Sequence, residues 1–191
     1  MRPSRILACA LTLTMLLAAN ARSESSVRIP MPRQLAVMAS LPSFSARMPD
    51  GEQLFQRRHL EKMIAQDPRI TRVALVYFAT WCAPCAEGSR KLKAAKEALR
   101  RNGVLVLFVN AGETDITAIR RWIKDFGDPG FPLILDAKSQ MLGPWGLTDP
   151  SGKALMPRTL VLNRNLRPLF LLGTEGDDFP EILWRLNAGN P

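Results

Sequence analysis

The sequence Cys82-Ala83-Pro84-Cys85 stands where the chain changes its period. An unbroken apolar run, 73–79, leads into it through Thr80-Trp81, and a helical pattern follows as far as Asn102-Gly103. A strand that hands two cysteines to the first turn of a helix constrains both fold and chemistry. The helix N-terminus carries partial positive charge and free N–H groups, which stabilise a thiolate at Cys82. Two intervening residues put the second sulfur one turn later, close enough to close a disulfide on the first. Such a pair is either redox-active or structural. A ring this small removes little loop entropy from the unfolded chain, so a structural role is a weak reason for it and a redox-active pair is the expectation.

The 191 residues suit one domain. Arg2 and Arg5 precede an apolar stretch, 6–19, and the small-x-small sequence Ala19-Asn20-Ala21. This is the pattern of a secretory signal cut after Ala21, occupying 1–21. The stretch is shorter than the ~20 apolar residues a spanning helix needs, and a retained N-terminal anchor is the alternative. Cleavage would leave Cys82 and Cys85 from the 3 cysteines. It would also deliver them to an oxidising compartment, the periplasm, where a chain whose one pair is Cys-x-x-Cys suits work on other proteins' thiols. Loss of Arg2 and Arg5 takes the formal charge of +9 down by two, to +7. Export and the lack of aromatic–basic interleaving exclude a nucleic-acid partner. Much of the charge lies on the helix after the cysteines, at Arg90, Lys91, Lys93, Lys96, Arg100 and Arg101. A solvated helix face accounts for it, with weak association with a membrane surface or an acidic partner as the other reading.

Residues 22–40 mix Ser, Pro, Arg and small apolars without a period, which predicts a linker. A domain is expected over 41–188. It opens with a strand at 41–44 and a hairpin turn at Asp50-Gly51. An amphipathic helix follows over 54–65, closed by Asp67-Pro68. The one histidine, His59, lies on that helix beside Arg57 and Arg58, as a surface residue. One His and two Cys fall short of the four ligands of a structural zinc site, and neither metal nor cofactor is expected. Beyond the cysteine helix, 104–109 reads as a strand covered on both faces. A helix then carries Ile116, Ile119, Trp122, Ile123 and Phe126 into the core, followed by a short strand at 131–136. Residues 138–142 read as a helical turn and 143–153 as a loop. Strands at 159–162 and 169–172 form a hairpin, and a final helix begins at Asp177 or Asp178 with Pro180 in its first turn and buries Phe179, Ile182, Leu183 and Leu186. Successive βα units with a late hairpin predict an α/β fold: a mixed sheet flanked by helices on both faces.

Ala79-Thr80-Trp81-Cys82-Ala83-Pro84-Cys85 resembles the WCxPC site of thioredoxin-fold proteins, and Met156-Pro157-Arg158-Thr159 resembles their cis-proline loop. The N-terminal β-hairpin, 42–53, and the strand–helix insert, 109–136, narrow the resemblance to the exported TlpA/ResA/DsbE-like branch. The resemblance covers about 41–186 and implies thiol-disulfide exchange with protein clients. Cys82 is then the exposed attacking sulfur, and Cys85 resolves the mixed disulfide. Pro84 sets the turn, Pro157 in the cis form positions the Met156 backbone for an extended client segment, and Trp81 either covers one side of the site or packs beneath its loop. The implied direction is reduction, as in cytochrome c maturation, with electrons fed by a membrane thiol reductant. The alternative is an oxidant of the same fold. A copper- or client-binding module is the non-enzymatic reading, although a wider Cys spacing and a late histidine are both lacking.

Two expected carboxylates are missing. The branch commonly has a glutamate three residues after the second cysteine, where this chain has Gly88, with Glu87 one residue early. Thioredoxins proper bury an aspartate six residues before the first cysteine, where this chain has Val76. Glu113, in the turn after its strand, is the candidate substitute for relaying a proton to Cys85. Gly88 costs a helix interior up to ~1 kcal/mol relative to alanine, with no reason visible in the sequence.

Overall fold

The computed structural model describes residues 25–126 and 130–185. The expected export signal lies outside them, as does the expected core residue Leu186. In chain order the elements are β1 (Arg28–Ile29), α1 (Arg33–Ala36), β2 (Ser45–Arg47), β3 (Leu54–Gln56), α2 (Arg57–Gln66), β4 (Arg72–Phe78) and α3 (Ala83–Ala94). They continue with α4 (Lys96–Arg101), β5 (Val104–Asn110), α5 (Ile116–Phe126), β6 (Leu133–Leu135), a 3₁₀ turn (Gly143–Trp145), β7 (Arg158–Asn163), β8 (Pro168–Leu172) and α6 (Phe179–Arg185). One sheet takes the order β1-β8-β7-β4-β5-β6-β2-β3. The βα units make β4, β5 and β6 parallel. The late hairpin adds β7, antiparallel to β4, and β8, antiparallel to β7.

Strand alternation sorts the core into two layers, because successive side chains leave a strand on opposite faces. From β4, Val73, Leu75 and Tyr77 enter one cluster with Leu60 and Ile64 of α2 and Trp145 of the 3₁₀ turn. Ala74, Val76 and Phe78 enter the other, with Leu92 of α3, Leu99 of α4, Trp122 of α5 and Leu183 of α6. Both cysteines belong to this second cluster. Trp122 is a core residue as its spacing predicts, its ring centroid 4.5 Å from that of Phe78.

The N-terminal part of the fold differs from the expected one in three respects. The first strand lies at 45–47, and residues 54–56 pair with it as β3 before the helix begins. The reason for the late helix start is its cap. The Gln56 amide donates to His59 Nδ1 at 2.8 Å, and the Gln56 side chain accepts from the His59 amide. His59 is therefore a capping residue half-buried against Phe55, not a plain surface one. The stretch expected as a linker also joins the fold from residue 25. β1 pairs with β8, Ser26 N–H donates to Asp178 Oδ1 at 2.6 Å, and Leu35 is fully buried. A two-residue strand and a one-turn helix are too short to show a period, which is why this stretch reads as irregular.

Candidate functional site: the Cys82–Cys85 pair

β4 ends at Phe78, and a tight turn carries the chain through Trp81, with the Cys82 amide bonded to Ala79 O at 3.0 Å. Cys82 is the N-cap of α3, with extended backbone, and its Sγ accepts a hydrogen bond from the Cys85 amide at 3.2 Å. An N-cap acceptor satisfies one of the helix's orphan N–H groups. Here that acceptor is the reacting sulfur. Pro84 fits the first turn because the N–H it lacks would have had no intrahelical partner there. The two sulfurs are bonded to each other.

Cys82 is only 4% exposed and Cys85 2%. The expected exposed attacking sulfur is thus nearly as buried as its partner. Both belong to the apolar cluster, against which Met156 also packs. Trp81 is 56% exposed, so it is not packed beneath the loop; the Lys153 ammonium sits 5.6 Å from its ring centroid. The Met156–Pro157 bond is cis. The antiparallel register of β7 on β4, with Arg158 opposite Tyr77, brings this loop beside the cysteine turn. Pro84 and Pro157 line a cleft of about 450 Å³ with Ser25, Val27, Thr174, Glu175 and Gly176. Residues from four distant parts of the chain therefore meet in the cleft beside Pro84.

The two carboxylates considered as proton relays are engaged elsewhere. Glu87 is exposed and paired with Arg90 at 2.5 Å. Glu113 accepts from the Thr80 amide at 2.9 Å, from the Thr80 hydroxyl at 2.5 Å and from Asn110 Nδ2 at 2.6 Å. It braces the turn that leads into the cysteines.

A carboxylate that packs against the cysteine helix at Gly88 is that of Glu175, in the loop between β8 and α6. Its Oε1 accepts from the buried Thr159 hydroxyl at 2.9 Å. Its Oε2 is buried without a hydrogen-bond partner. A Cβ built on Gly88 would fall on that oxygen and lie 2.9 Å from the carboxyl carbon. The unexplained glycine of α3 is thus the space the Glu175 carboxyl occupies. Burial pushes this carboxyl up to about 8, against the lowering effects of the Thr159 hydroxyl and the Lys91 charge. The missing aspartate position lies close by: Val76 pairs across the sheet with Thr159, the residue that holds Glu175. The one signal in the sequence for this carboxylate was a glycine in a helix interior, which marks a gap without saying what fills it.

A cysteine pair on the first turn of a helix, flanked by a cis-proline loop on a mixed sheet, defines a thioredoxin-fold redox site. A family model described as Redoxin matches residues 40–167, more than half of the chain. The chain belongs to the Redoxin family. It is 27% identical over 99 residues to the thiol-disulfide oxidoreductase ResA of Geobacillus thermodenitrificans, covering 52% of each chain. The chain spans about half the length of the curated relatives it matches. Among solved structures it is similar to a secreted thiol-disulfide isomerase from Corynebacterium glutamicum, with TM-score 0.59, 22% identity, and coverage of 75% of this chain and 83% of that one. It is also similar to a secreted Mycobacterium tuberculosis disulfide oxidoreductase homologous to Escherichia coli DsbE, with TM-score 0.50, 15% identity, and coverage of 66% and 81%. Identities this low speak to the fold alone.

Proposed function

We propose that this protein is an exported thiol-disulfide oxidoreductase that exchanges disulfides with client proteins through Cys82 and Cys85, in the reducing direction. The observation that carries the reading is the position of Cys82: it caps α3 with its own sulfur, bonded to Cys85, at a cleft lined by Pro84 and Pro157. On reduction, the sulfur that already accepts the Cys85 N–H becomes an anionic acceptor at the positive end of a helix, and such hydrogen bonds are about twice as strong as neutral ones. That lowers the cost of the thiolate, which is both nucleophile and leaving group in exchange. In this reading an extended client segment binds in the cleft between Pro84 and Pro157, with the Met156 backbone as its pairing partner and Trp81 beside it. The reducing direction, a cytochrome c maturation client, a membrane thiol donor and a periplasmic location follow from the resemblance to the TlpA/ResA/DsbE-like branch.

The test is the reduction potential of the Cys82–Cys85 pair in dithiothreitol or glutathione buffers, with the rate of exchange with a protein disulfide measured alongside. A potential near thioredoxin's, about −270 mV, is expected. One near DsbA's, about −120 mV, would reverse the direction and make the protein a disulfide donor. No exchange with any protein disulfide would sink the oxidoreductase reading itself.

A further inference from the structure

We propose that Glu175 is the proton partner of Cys85, giving a proton to its sulfur when the disulfide opens and taking it back when the disulfide closes. This assignment rests on the oxidoreductase reading and names the group that the reaction uses.

Geometry carries it. Gly88 follows Cys85 by three residues on α3, and positions three apart on a helix are neighbours, with Cβ atoms about 5–6 Å apart. The Glu175 Oε2 occupies the place of a side chain at 88. It therefore stands on the face of α3 that presents Cys85. The other oxygen is tied to Thr159, which fixes the carboxyl's orientation. Oε2 is the one without a partner, and a buried acceptor left unpaired is costly unless it carries a proton or meets a donor. Glu175 lines the cleft together with Pro84, Pro157 and Gly176.

The charged groups around it leave this role to Glu175. Lys91, on the next turn of α3, donates to the Glu175 backbone oxygen at 3.4 Å and to Asp177 at 3.1 Å. Arg158, at the start of β7, donates to the Pro157 and Gly173 carbonyls. Asp178 accepts from the Ser26 amide. The N-terminal residues in the cleft, Ser25 and Val27, do not titrate.

The step balances as follows. A client or donor thiolate attacks Cys82 Sγ and bonds to it, and the Cys82–Cys85 bond breaks with its electron pair on Cys85. Protonated Glu175 supplies the proton, leaving Cys85 thiol and Glu175 carboxylate. In reverse, Glu175 removes that proton, the Cys85 thiolate attacks Cys82 Sγ, and the client sulfur leaves with the pair. A carboxyl that is largely protonated at neutral pH while the disulfide is closed suits the donating half of this cycle.

The test uses the full chain carrying Cys9→Ser, reduced, and mixed with dithiobis-nitrobenzoate. Attack by Cys82 releases one coloured thiolate, and resolution by Cys85 releases a second. Glu175→Gln should leave the first phase intact and slow the second about 100-fold at neutral pH. Its second phase should then follow the ionisation of an unassisted thiol. Infrared difference spectra of the oxidised and reduced protein without the Glu175 substitution should show a protonated-carboxyl band that shifts with the redox state. The infrared result needs no substitution at Glu175, so it decides even if Glu175→Gln fails to fold. An unchanged second phase, or no carboxyl band that follows the redox state, overturns the assignment. If both readouts appear as expected while exchange with protein disulfides is absent, the proposed function fails and the proton partnership stands.

Discussion

Two glutamates approach the cysteine turn from opposite sides of the sheet's centre, and their surroundings differ in kind. Glu113 follows β5 and spends both oxygens on donors of the turn, at Thr80 and Asn110. Glu175 follows β8 and keeps one oxygen buried and unpaired against Gly88. A carboxylate whose two oxygens are both spent on donors acts as a strut. One with a buried unpaired oxygen favours the proton, and its charge can follow events nearby. Residue type therefore says little about which carboxylate serves the chemistry; the partner count decides.

The comparison breaks most visibly on the Glu113 side. Glu113→Ala strands the Thr80 and Asn110 donors, and denaturant unfolding should show a loss of about 2–4 kcal/mol. No measurable loss would erase the distinction between the two glutamates.

Glu175 sharpens the contrast through pH. Its folded value, about 8, lies above its ordinary value of 4.5. Between those limits the folded protein keeps a proton that the unfolded chain has released. The stability this group contributes is complete below the lower limit and falls as pH rises through the interval, with a slope of at most about 1.4 kcal/mol per unit. Glu175→Gln cannot titrate, so the difference between its unfolding curves and those of the parent, both in the disulfide form, should isolate that slope. A parallel pair of curves would show that Glu175 does not hold its proton on folding.

The smallest effect is expected at Gly88. Alanine there improves helix propensity by up to about 1 kcal/mol but meets the Glu175 carboxyl. The side chain is displaced toward the cleft and water, so net stability should change by less than about 1 kcal/mol while the Glu175 pH slope largely disappears. Retention of the full slope in Gly88→Ala would mean that the carboxyl does not depend on this gap.

Much of this molecule is legible in the residues themselves. The apolar runs of β4 and β5, the helical spacing of Ile119 and Trp122, and the Cys82–Cys85 spacing each report local physics, since period and caps act within a few residues. These features sufficed for the mixed sheet and for the thiol pair at a helix start. Only the tertiary structure decided which groups surround that pair. β1 and α1 are too short to carry a period, and what holds them is β8 and the core. The burial of Cys82 depends on the cluster it joins, and the exposure of Trp81 depends on what the fold leaves uncovered. Glu175 meets Gly88 because β7, β8 and the following loop fold over α3, a contact between residues far apart in sequence. Hydrophobic patterning specifies which face of a strand is buried, whereas a proton-bearing site is made by distances between side chains that no local pattern encodes.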